Sequence, residues 1–347
     1  MKALVFRGVN DARVEEVAVP QAGAGEILVK VDSCSVCGTD VRTYRHGHPR
    51  IRGPRVIGHE FSGTVAGAGP GVHSFREGDR VMVVPGISCG RCYLCQKGLQ
   101  NLCENRRIIG FDYDGAFAGY VRIPAEAVEM GNVRAVPERL SLREACLIEP
   151  FTAVYNGQAL LGITPGVTVC IIGAGPIGVM HALQARARGA GMVVMFEQSA
   201  ERRKTAAAFA VDRVVDPQVE DPVAVTKVMT GNRGFDVVIV ACGVGATQAQ
   251  ALHIAGRGGR VSFFAGLPHG RSEALLDTNL IHYKQLALFG ANGSGPNQYD
   301  ETIRFLAAGI VDVSSLITAQ PPLDDVLEGF SMVERAVGLK VVVHPHA

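Results

Sequence analysis

Four cysteines lie close together between positions 89 and 103. They are Cys89, Cys92, Cys95 and Cys103, and their spacing is C-x2-C-x2-C-x7-C. Four thiolates so near one another can surround a single tetrahedral ion, and Zn²⁺ is the usual occupant of such a site. Disulfide bonds or simple packing are the alternative, but tight C-x2-C pairs in an intracellular chain favour a metal. Because four protein ligands leave no open position, the cluster is predicted to hold structural zinc.

Three other segments carry side chains that could bind a second, catalytic ion. Cys37 is followed by Gly-Thr-Asp, His59 and Glu60 are adjacent, and Glu149 precedes a proline. A thiolate, an imidazole and carboxylates, with one position left for water, are the ingredients of an open zinc site. Taken one at a time, Cys37 reads better as a buried thiol and Glu60 and Glu149 as surface charges, and only His59 favours a ligand over a core histidine.

A glycine-rich segment, G-A-G-P-I-G, directly follows an apolar strand and opens a helix. This context makes it a dinucleotide-binding turn, because the pyrophosphate of such a cofactor sits on the first amides of the helix. The first glycine permits the tight turn, the second lets the backbone approach the phosphates, and the third allows close packing of the helix on the strand. The predicted cofactor-binding residues here are Gly173, Gly175, Pro176, Ile177 and Gly178.

The next apolar strand ends at Glu197, at the distance expected for the residue that binds the adenosine ribose. Its carboxylate would accept hydrogen bonds from the ribose hydroxyls and repel a 2′-phosphate. This favours NAD over NADP. Arg202, predicted to flank the cofactor, and its neighbours Arg203 and Lys204 leave NADP open, since an arginine there could also hold a phosphate.

Composition narrows the class of protein. The 347 residues include 34 Lys and Arg against 33 Asp and Glu, which gives no long-range attraction for nucleic acid or an anionic membrane. No apolar run approaches the length of a membrane span, and the first residues do not read as a secretory signal. Nine cysteines in such a chain indicate the reducing cytoplasm.

The pattern of elements changes near position 150. Before it, short strands rich in Val, Ile and aromatics alternate with Gly-rich turns, which predicts a β-rich, barrel-like domain. After it, fully apolar strands alternate with helical segments, as in a doubly wound parallel sheet covered on both faces. The predicted fold class is therefore α/β with two domains, and the tail after about position 291 is expected to pack on the first.

Taken together, these motifs resemble the zinc-dependent medium-chain dehydrogenase/reductase family, and most of all its sorbitol (polyol) and threonine dehydrogenase branch. The resemblance covers essentially the whole chain. The segments that carry it are Cys37–Asp40, Gly58–Gly63, Gly78–Val81, the four-cysteine cluster, Glu149-Pro150 and Gly173–Gly178. It implies a GroES-like catalytic domain over residues 1–149 with a structural zinc lobe at about 86–106, a Rossmann NAD-binding domain over 150–291, and a return of 292–347 to the catalytic domain.

The resemblance also implies the roles of the site residues. Catalytic zinc would be bound by Cys37, His59 and Glu60, with Glu149 either a fourth ligand or a partner of the zinc-bound water. Two Zn²⁺ per chain are expected, and Thr39 would pass on the substrate's proton. The expected reaction is hydride transfer from a secondary alcohol of a polyol, sugar or cyclitol to NAD, giving a ketone. The expected assembly is a cytoplasmic homotetramer, with a homodimer as the alternative.

Other functions stay open on the sequence alone. The substrate could be L-threonine or another amino alcohol, and a non-catalytic nucleotide-binding protein could share the fold. The family often has histidine where this chain has Arg42, which cannot take up a proton, so the relay would run through His46, His48, the cofactor ribose or water. Arginines cluster between the first two zinc-ligand segments and suggest either an anionic substrate or a solvated loop: Arg42, Arg45, Arg50, Arg52 and Arg55.

Overall fold

The computed structural model describes residues 1–268 and 270–347, and it contains two compact units. Unit 1 is formed by Met1–Thr152 and Ser294–Ala347, and unit 2 by Ala153–Gly293. Unit 1 is therefore built from two separate stretches of chain, one on either side of unit 2 in the sequence. Within the described ranges, none of the helices combines the length and apolar character needed to cross a membrane.

The strands are short, as the frequent turns predict. They are β1 Lys2–Gly8, β2 Asp11–Glu16, β3 Ile27–Ser35, β4 Arg55–Val56, β5 Glu60–Ala68, β6 Arg80–Val83, β7 Gly86–Ile87, β8 Arg107–Ile108, β9 Tyr120–Ile123, β10 Val133–Ala135, β11 Thr168–Ile172, β12 Met192–Phe196, β13 Arg213–Val215, β14 Phe235–Val240, β15 Ala255–Phe263, β16 Ala287–Gly290, β17 Ile317–Ala319 and β18 Lys340–Val343.

The α-helices concentrate in the second half of the chain. They are α1 Gly38–His46, α2 Tyr93–Gln96, α3 Ala125–Glu129, α4 Leu142–Ala145, α5 Ile148–Ala159, α6 Pro176–Ala187, α7 Ala200–Ala206, α8 Pro222–Thr230, α9 Gly245–Ile254, α10 Thr278–Lys284, α11 Pro296–Ala307 and α12 Val326–Glu334. Three short 3₁₀ turns lie at Gln100–Leu102, Ser314–Leu316 and Leu323–Asp325.

Unit 1 is organised around a curled sheet with the strand order β10-β6-β5-β3-β18-β17, in which β9 also pairs with β3. The long strand β3 is antiparallel to β5, β9 and β18. Its side chains alternate along the strand, and Ile27, Val29 and Val31 are fully buried in one apolar core with Phe61 and Phe117. Strand β18, near the end of the chain, thus becomes part of the same sheet as strands from its beginning.

Unit 2 is a six-stranded sheet with the order β13-β12-β11-β14-β15-β16, and every adjacent pair is parallel. The two halves of the strand order run outwards from β11 and β14, which is the doubly wound arrangement. Strands β11 and β14 are buried from Val169 to Ile172 and from Val237 to Val240, because helices cover such sheets on both faces. The predicted α/β fold class with a doubly wound parallel sheet is confirmed.

Candidate functional site

The first turn of α1 holds two of the predicted groups, Cys37 and Thr39, in place. Cys37 is the residue that caps the helix, and its Sγ accepts the backbone N–H of Thr39 at 3.4 Å. In return, Oδ2 of Asp40 accepts the backbone N–H of Cys37 at 2.9 Å. This reciprocal capping box satisfies two amides that the helix start would leave without partners. It fixes the thiol of Cys37 and the backbone of Thr39 at the start of one rigid element.

Asp40 also connects this helix to the start of β5. Its other oxygen, Oδ1, lies 3.1 Å from Nδ1 of His59, immediately before β5. Asp40 is fully buried and His59 is 7% exposed, so the pair is shielded from solvent. With Nδ1–H donating to the carboxylate, Nε2 of His59 keeps its lone pair, which is the tautomer that a metal ligand needs.

The side chains of Cys37, His59 and Glu60 converge. One ligand atom from each lies within 4.8 Å of the other two. Burial opposes a charge on His59, but the carboxylate of Asp40 and its hydrogen bond, together with Cys37, outweigh burial and raise its pKa well above the usual value. The surroundings therefore favour positive charge at this point. A thiolate, an imidazole and a carboxylate at this separation fit zinc in a catalytic site.

Glu60 is held by a residue that the sequence motifs did not indicate. Its Oε2 accepts a hydrogen bond from Nζ of Lys340 at 2.6 Å and another from the hydroxyl of Ser35. Lys340 is the first residue of β18, 280 positions further along the chain. The ammonium and the carboxylate are both buried, with 5% and 1% of their side chains exposed.

Glu149 lies outside the group of three whose ligand atoms converge. It is in the first turn of α5, where burial, followed by repulsion from Glu60, raises its pKa to about 7. His59 and Lys340 oppose this rise by attraction. Glu149 therefore responds to the charge at the cluster, although the structure does not bring it to ligand distance.

The surroundings of Thr39 bear on the proton route. Its Oγ1 accepts a hydrogen bond from the guanidinium of Arg42 at 2.8 Å, on the next turn of α1. The ring of His48 stacks on Phe111 with centroids 4.3 Å apart, and Phe111 in turn lies 5.4 Å from the ring of His59. Burial and Arg50 lower the pKa of His48 below its ordinary value. His48 is thus the histidine of this segment that lies beside the cluster, whereas His46 is exposed.

Most of the positive charge in the arginine-rich segment is compensated within unit 1. Arg45 pairs with Glu334 through two hydrogen bonds, at 3.0 and 2.6 Å. The other two ion pairs of this segment join Arg50 to Asp112 and Arg55 to Asp114. Three of the five arginines in this segment are therefore already paired with carboxylates, which favours the solvated loop over an anion site.

The four-cysteine cluster is assembled by the loop that contains α2. The ligand sulfurs of Cys89, Cys92, Cys95 and Cys103 all lie within 4.8 Å of one another. No disulfide joins any of the nine cysteines, all of which fall in the described ranges. Backbone N–H groups of Arg91 and Cys92 lower the pKa of Cys89 to about 6, whereas burial raises that of Cys95 to about 12. Four thiols whose sulfurs lie this close to one another match the donor set of a closed zinc site.

The glycine turn of unit 2 has the geometry that the motif predicts. Gly173 has φ of +106°, and helix α6 begins after Gly175 with Pro176 at its first position and without a side-chain cap. The first amides of the helix are thus left for a ligand. A Cβ on Gly178 would lie 1.9 Å from the carbonyl oxygen of Gly173, so only glycine allows the helix to pack this closely on the turn.

Glu197 follows β12 and is fixed beside this turn. Its Oε2 accepts the N–H of Ala174 at 2.8 Å, and its Oε1 accepts the N–H of Ser199 at the same distance. Arg202 approaches from α7, and its guanidinium lies 3.8 Å from the position that a Cβ on Gly175 would occupy. A carboxylate and a guanidinium therefore flank the turn, and the residues present fit a dinucleotide.

Comparison with known proteins agrees with this geometry. Residues 23–131 match the family of alcohol dehydrogenase GroES-like domains, and residues 176–308 match the family of zinc-binding dehydrogenases. Sorbitol dehydrogenase of Bacillus subtilis is 33% identical over 355 positions, covering 100% of this chain and 98% of that protein. L-threonine 3-dehydrogenase of Pyrococcus furiosus is 35% identical over 333 positions, covering 94% and 91%.

A solved structure extends the likeness to three dimensions. It is a zinc-binding dehydrogenase from Sinorhizobium meliloti bound to NADP, with 32% identity, a TM-score of 0.91 and coverage of 99% of both chains. The GroES-like and Rossmann assignments are thereby confirmed for units 1 and 2. The chain belongs to the zinc-dependent medium-chain dehydrogenase/reductase family, in its sorbitol and threonine dehydrogenase branch, and is an oxidoreductase that uses zinc and a nicotinamide dinucleotide.

Proposed function

We propose that this enzyme oxidises a secondary alcohol of a polyol, sugar or cyclitol to a ketone, with NAD as the hydride acceptor. The observation that carries the proposal is the convergence of Cys37, His59 and Glu60 within 4.8 Å, beside the hydroxyl of Thr39. A protein that only bound a nucleotide would not need a thiolate, an imidazole and a carboxylate arranged in this way. The sorbitol dehydrogenase relative supports a polyol as the substrate class.

The residues of the cluster have separable tasks. Cys37, His59 and Glu60 would hold the ion, and Asp40 keeps the ring of His59 in the tautomer that presents Nε2. Bound zinc supplies a Lewis acid that makes the substrate hydroxyl more acidic, and bound NAD accepts the hydride. Glu149, with its pKa raised to about 7, is the carboxylate that can change its protonation near neutral pH beside this group.

We propose that the hydroxyl of Thr39 receives the substrate's proton. Arg42 donates to its oxygen, so the hydroxyl hydrogen of Thr39 is directed elsewhere. Arg42 stays protonated and cannot accept the proton in turn. His48, stacked on Phe111 beside the cluster, is a group of this segment that can accept it.

Preference for NAD over NADP rests on Glu197. Two backbone N–H groups hold this carboxylate at the end of β12, and its side chain is buried. A fixed negative charge here repels a 2′-phosphate, whereas Arg202 beside Gly175 attracts phosphate groups of either cofactor. We expect Glu197→Gln to lower the NAD to NADP preference by about tenfold or more, since one lost repulsion of about 1.4 kcal/mol suffices. An unchanged ratio of kcat/KM values would remove Glu197 from this role.

L-threonine is the second candidate substrate. It is favoured by the threonine dehydrogenase relative, whose identity of 35% is slightly higher than the 33% of the sorbitol dehydrogenase. A parallel assay of polyols, inositols, sugar acids and L-threonine, each with NAD and NADP, separates the two. Reduction of the cofactor by L-threonine alone would replace the polyol proposal.

Zinc stoichiometry tests the metal site independently of the substrate. We expect purified protein to contain two zinc ions per chain and the Cys37→Ser variant to contain one. The four-cysteine cluster accounts for the ion that stays. Two ions in the variant would show that Cys37 is not a ligand, whatever the enzyme's activity.

We further propose a homotetramer in the cytoplasm. In unit 2, β16 is an open edge of the sheet, and Tyr283 and Leu288 near it are exposed. An apolar sheet edge of this kind is commonly covered by another chain. Light scattering should give a molecular mass four times the chain mass of 36.7 kDa, whereas a mass of twice that of the chain would indicate the homodimer.

A further inference from the structure

The ion pair between Lys340 and Glu60 joins the far end of the sequence to the catalytic cluster. Nζ of Lys340 lies 2.6 Å from Oε2 of Glu60 and also donates to the backbone oxygen of Val36 at 3.0 Å. Ser35 donates to the same carboxylate oxygen, Oε2. Both donors therefore approach Glu60 through one of its two oxygens.

The position of Lys340 is set by the sheet. Strand β18 pairs with β3 through Val342 opposite Ser35 and Val343 opposite Cys34. Lys340 lies just before this pairing and is 4% exposed, so its side chain cannot turn out to solvent. A lysine is almost never buried to this extent unless it is paired, because an unpaired ammonium in the interior is costly.

We propose that Lys340 is a positioning residue of the catalytic site, which holds Glu60 by one oxygen and weakens it as a ligand of the metal. This inference rests on the proposed function, because it takes Cys37, His59 and Glu60 to bind zinc. Partners of metal ligands are usually acceptors, and these make the ligand more basic. A cationic donor acts in the opposite direction, since it withdraws negative charge from the carboxylate and repels a nearby dication.

A weakened third ligand has a use in catalysis. A catalytic site must keep one position that the substrate can occupy, whereas four strong ligands close the site. The four-cysteine cluster in the same unit is an example of such a closed site, because all four ligand positions are filled by protein thiols. With Lys340 paired to it, Glu60 stays close to the zinc ion but binds it less firmly than a carboxylate without a lysine partner would.

The test measures zinc release from the purified holoenzyme into a chelator that reports bound zinc by colour. Lys340→Met removes the ammonium and keeps much of the apolar side chain. We expect the release of the catalytic ion to become slower by about tenfold or more, the size of effect that partners of metal ligands commonly have. The visible spectrum of the Co²⁺-substituted enzyme should also change, because Glu60 then binds the metal more firmly.

Two further variants distinguish positioning from a general structural effect. If Lys340 acts through Glu60, adding Lys340→Met to Glu60→Gln should leave the release rate of the Glu60→Gln variant unchanged. Lys284→Met is the matched control, because Lys284 also donates to backbone oxygens, those of Leu252, His253 and Ala255, but in unit 2. It should leave zinc release and the Co²⁺ spectrum as in the wild type.

The outcomes separate this inference from the metal site itself. Zinc release from Lys340→Met that is as fast as in the wild type, or faster, overturns the inference. So does an effect of the same size in the Glu60→Gln background, or in the Lys284→Met control. If instead Cys37→Ser keeps both zinc ions, the proposed metal site fails and the role of Lys340 fails with it.

Discussion

His181 allows a sharp prediction about stability in acid. It lies on α6 in unit 2 and is fully buried. Its Nδ1 is 3.2 Å from the side-chain nitrogen of Gln158, and its ring meets that of Phe264 edge-on, with centroids 4.5 Å apart. Burial lowers the pKa of His181 to about 3, from an ordinary value of 6.5. The folded protein therefore keeps this imidazole neutral where an unfolded chain would protonate it.

The direction and the size of the effect of pH on the free energy of unfolding follow from proton linkage. The folded pKa is the lower one, so the contribution of His181 to stability is complete above pH 6.5 and is lost as the pH falls towards 3. At pH 5, about 1.5 units below the unfolded value, the loss is about 2 kcal/mol, since each unit is worth about 1.4 kcal/mol. Below about pH 3 both states are protonated and the loss stops growing.

The assay compares wild type with His181→Asn, whose side-chain oxygen can accept the hydrogen bond from Gln158. Free energies of unfolding are measured in urea at pH 8 and pH 5 by circular dichroism, because the chain has no tryptophan for fluorescence. Zinc ligands and other groups titrate equally in both proteins, so they cancel in the difference between them. We expect the wild type to lose about 2 kcal/mol more than the variant.

His253 supplies the control, because it is an exposed histidine of the same unit. The variant His253→Asn should behave as the wild type does. If His181→Asn and wild type lose the same stability between pH 8 and pH 5, to within about 0.5 kcal/mol, then His181 is protonated within the fold and the reasoning from its burial is wrong.

Three further predictions concern the site residues. Cys95→Ser should lower the zinc content by one ion and the melting temperature, because a structural ion contributes its binding free energy to folding; full zinc content would contradict this. Gly178→Ala should destabilise unit 2 by about 1–3 kcal/mol and weaken NAD binding in calorimetry, since its methyl group would overlap the carbonyl of Gly173. Arg42→His should add an inflection near pH 6.5 to the pH profile of turnover, because an imidazole can take up the proton from Thr39. Arg42→Lys should not show this inflection, because a lysine is already protonated near neutral pH. Matching pH profiles for the two variants would exclude a proton relay through this position.

The doubly wound sheet could be predicted because its signals are local. Each buried strand is a short apolar run, and helix α8 begins with a recognisable cap at Asp221, followed by Pro222. The structural zinc lobe could be predicted for the same reason, since all four cysteines fall within one short segment of the sequence. In both cases the residues that interact are close in sequence.

Helix α1 was not predicted, although its signal was present. Cys37 and Asp40 stand three positions apart, as the two members of a capping box do, but a cysteine is an unusual cap. The structure shows that one carboxylate, that of Asp40, both caps the helix and orients the imidazole of His59.

Contacts between distant residues could not be predicted from one sequence. Lys340 stands in an apolar strand where a lysine reads as an exposed end, and nothing local indicates a partner 280 residues away. The arginine-rich segment posed the same difficulty, because Glu334, which neutralises Arg45, lies 289 residues further on. A cluster of arginines in a sequence does not show which carboxylates pair with them when those carboxylates are distant in sequence and close only in the folded structure.

The place of β18 in its sheet has a consequence for how the protein is made. This strand joins β17 to β3, yet it is synthesised after the whole of unit 2. On a ribosome adding about 5–20 residues per second, the edge of β3 at Cys34 and Ser35 waits roughly 15–60 seconds for its partner. During that time an apolar strand edge is open to wrong pairing, and the carboxylate of Glu60 has no ammonium beside it. Nascent unit 1 is therefore the part of this enzyme that most needs protection by a chaperone, and unit 2 can finish folding before it.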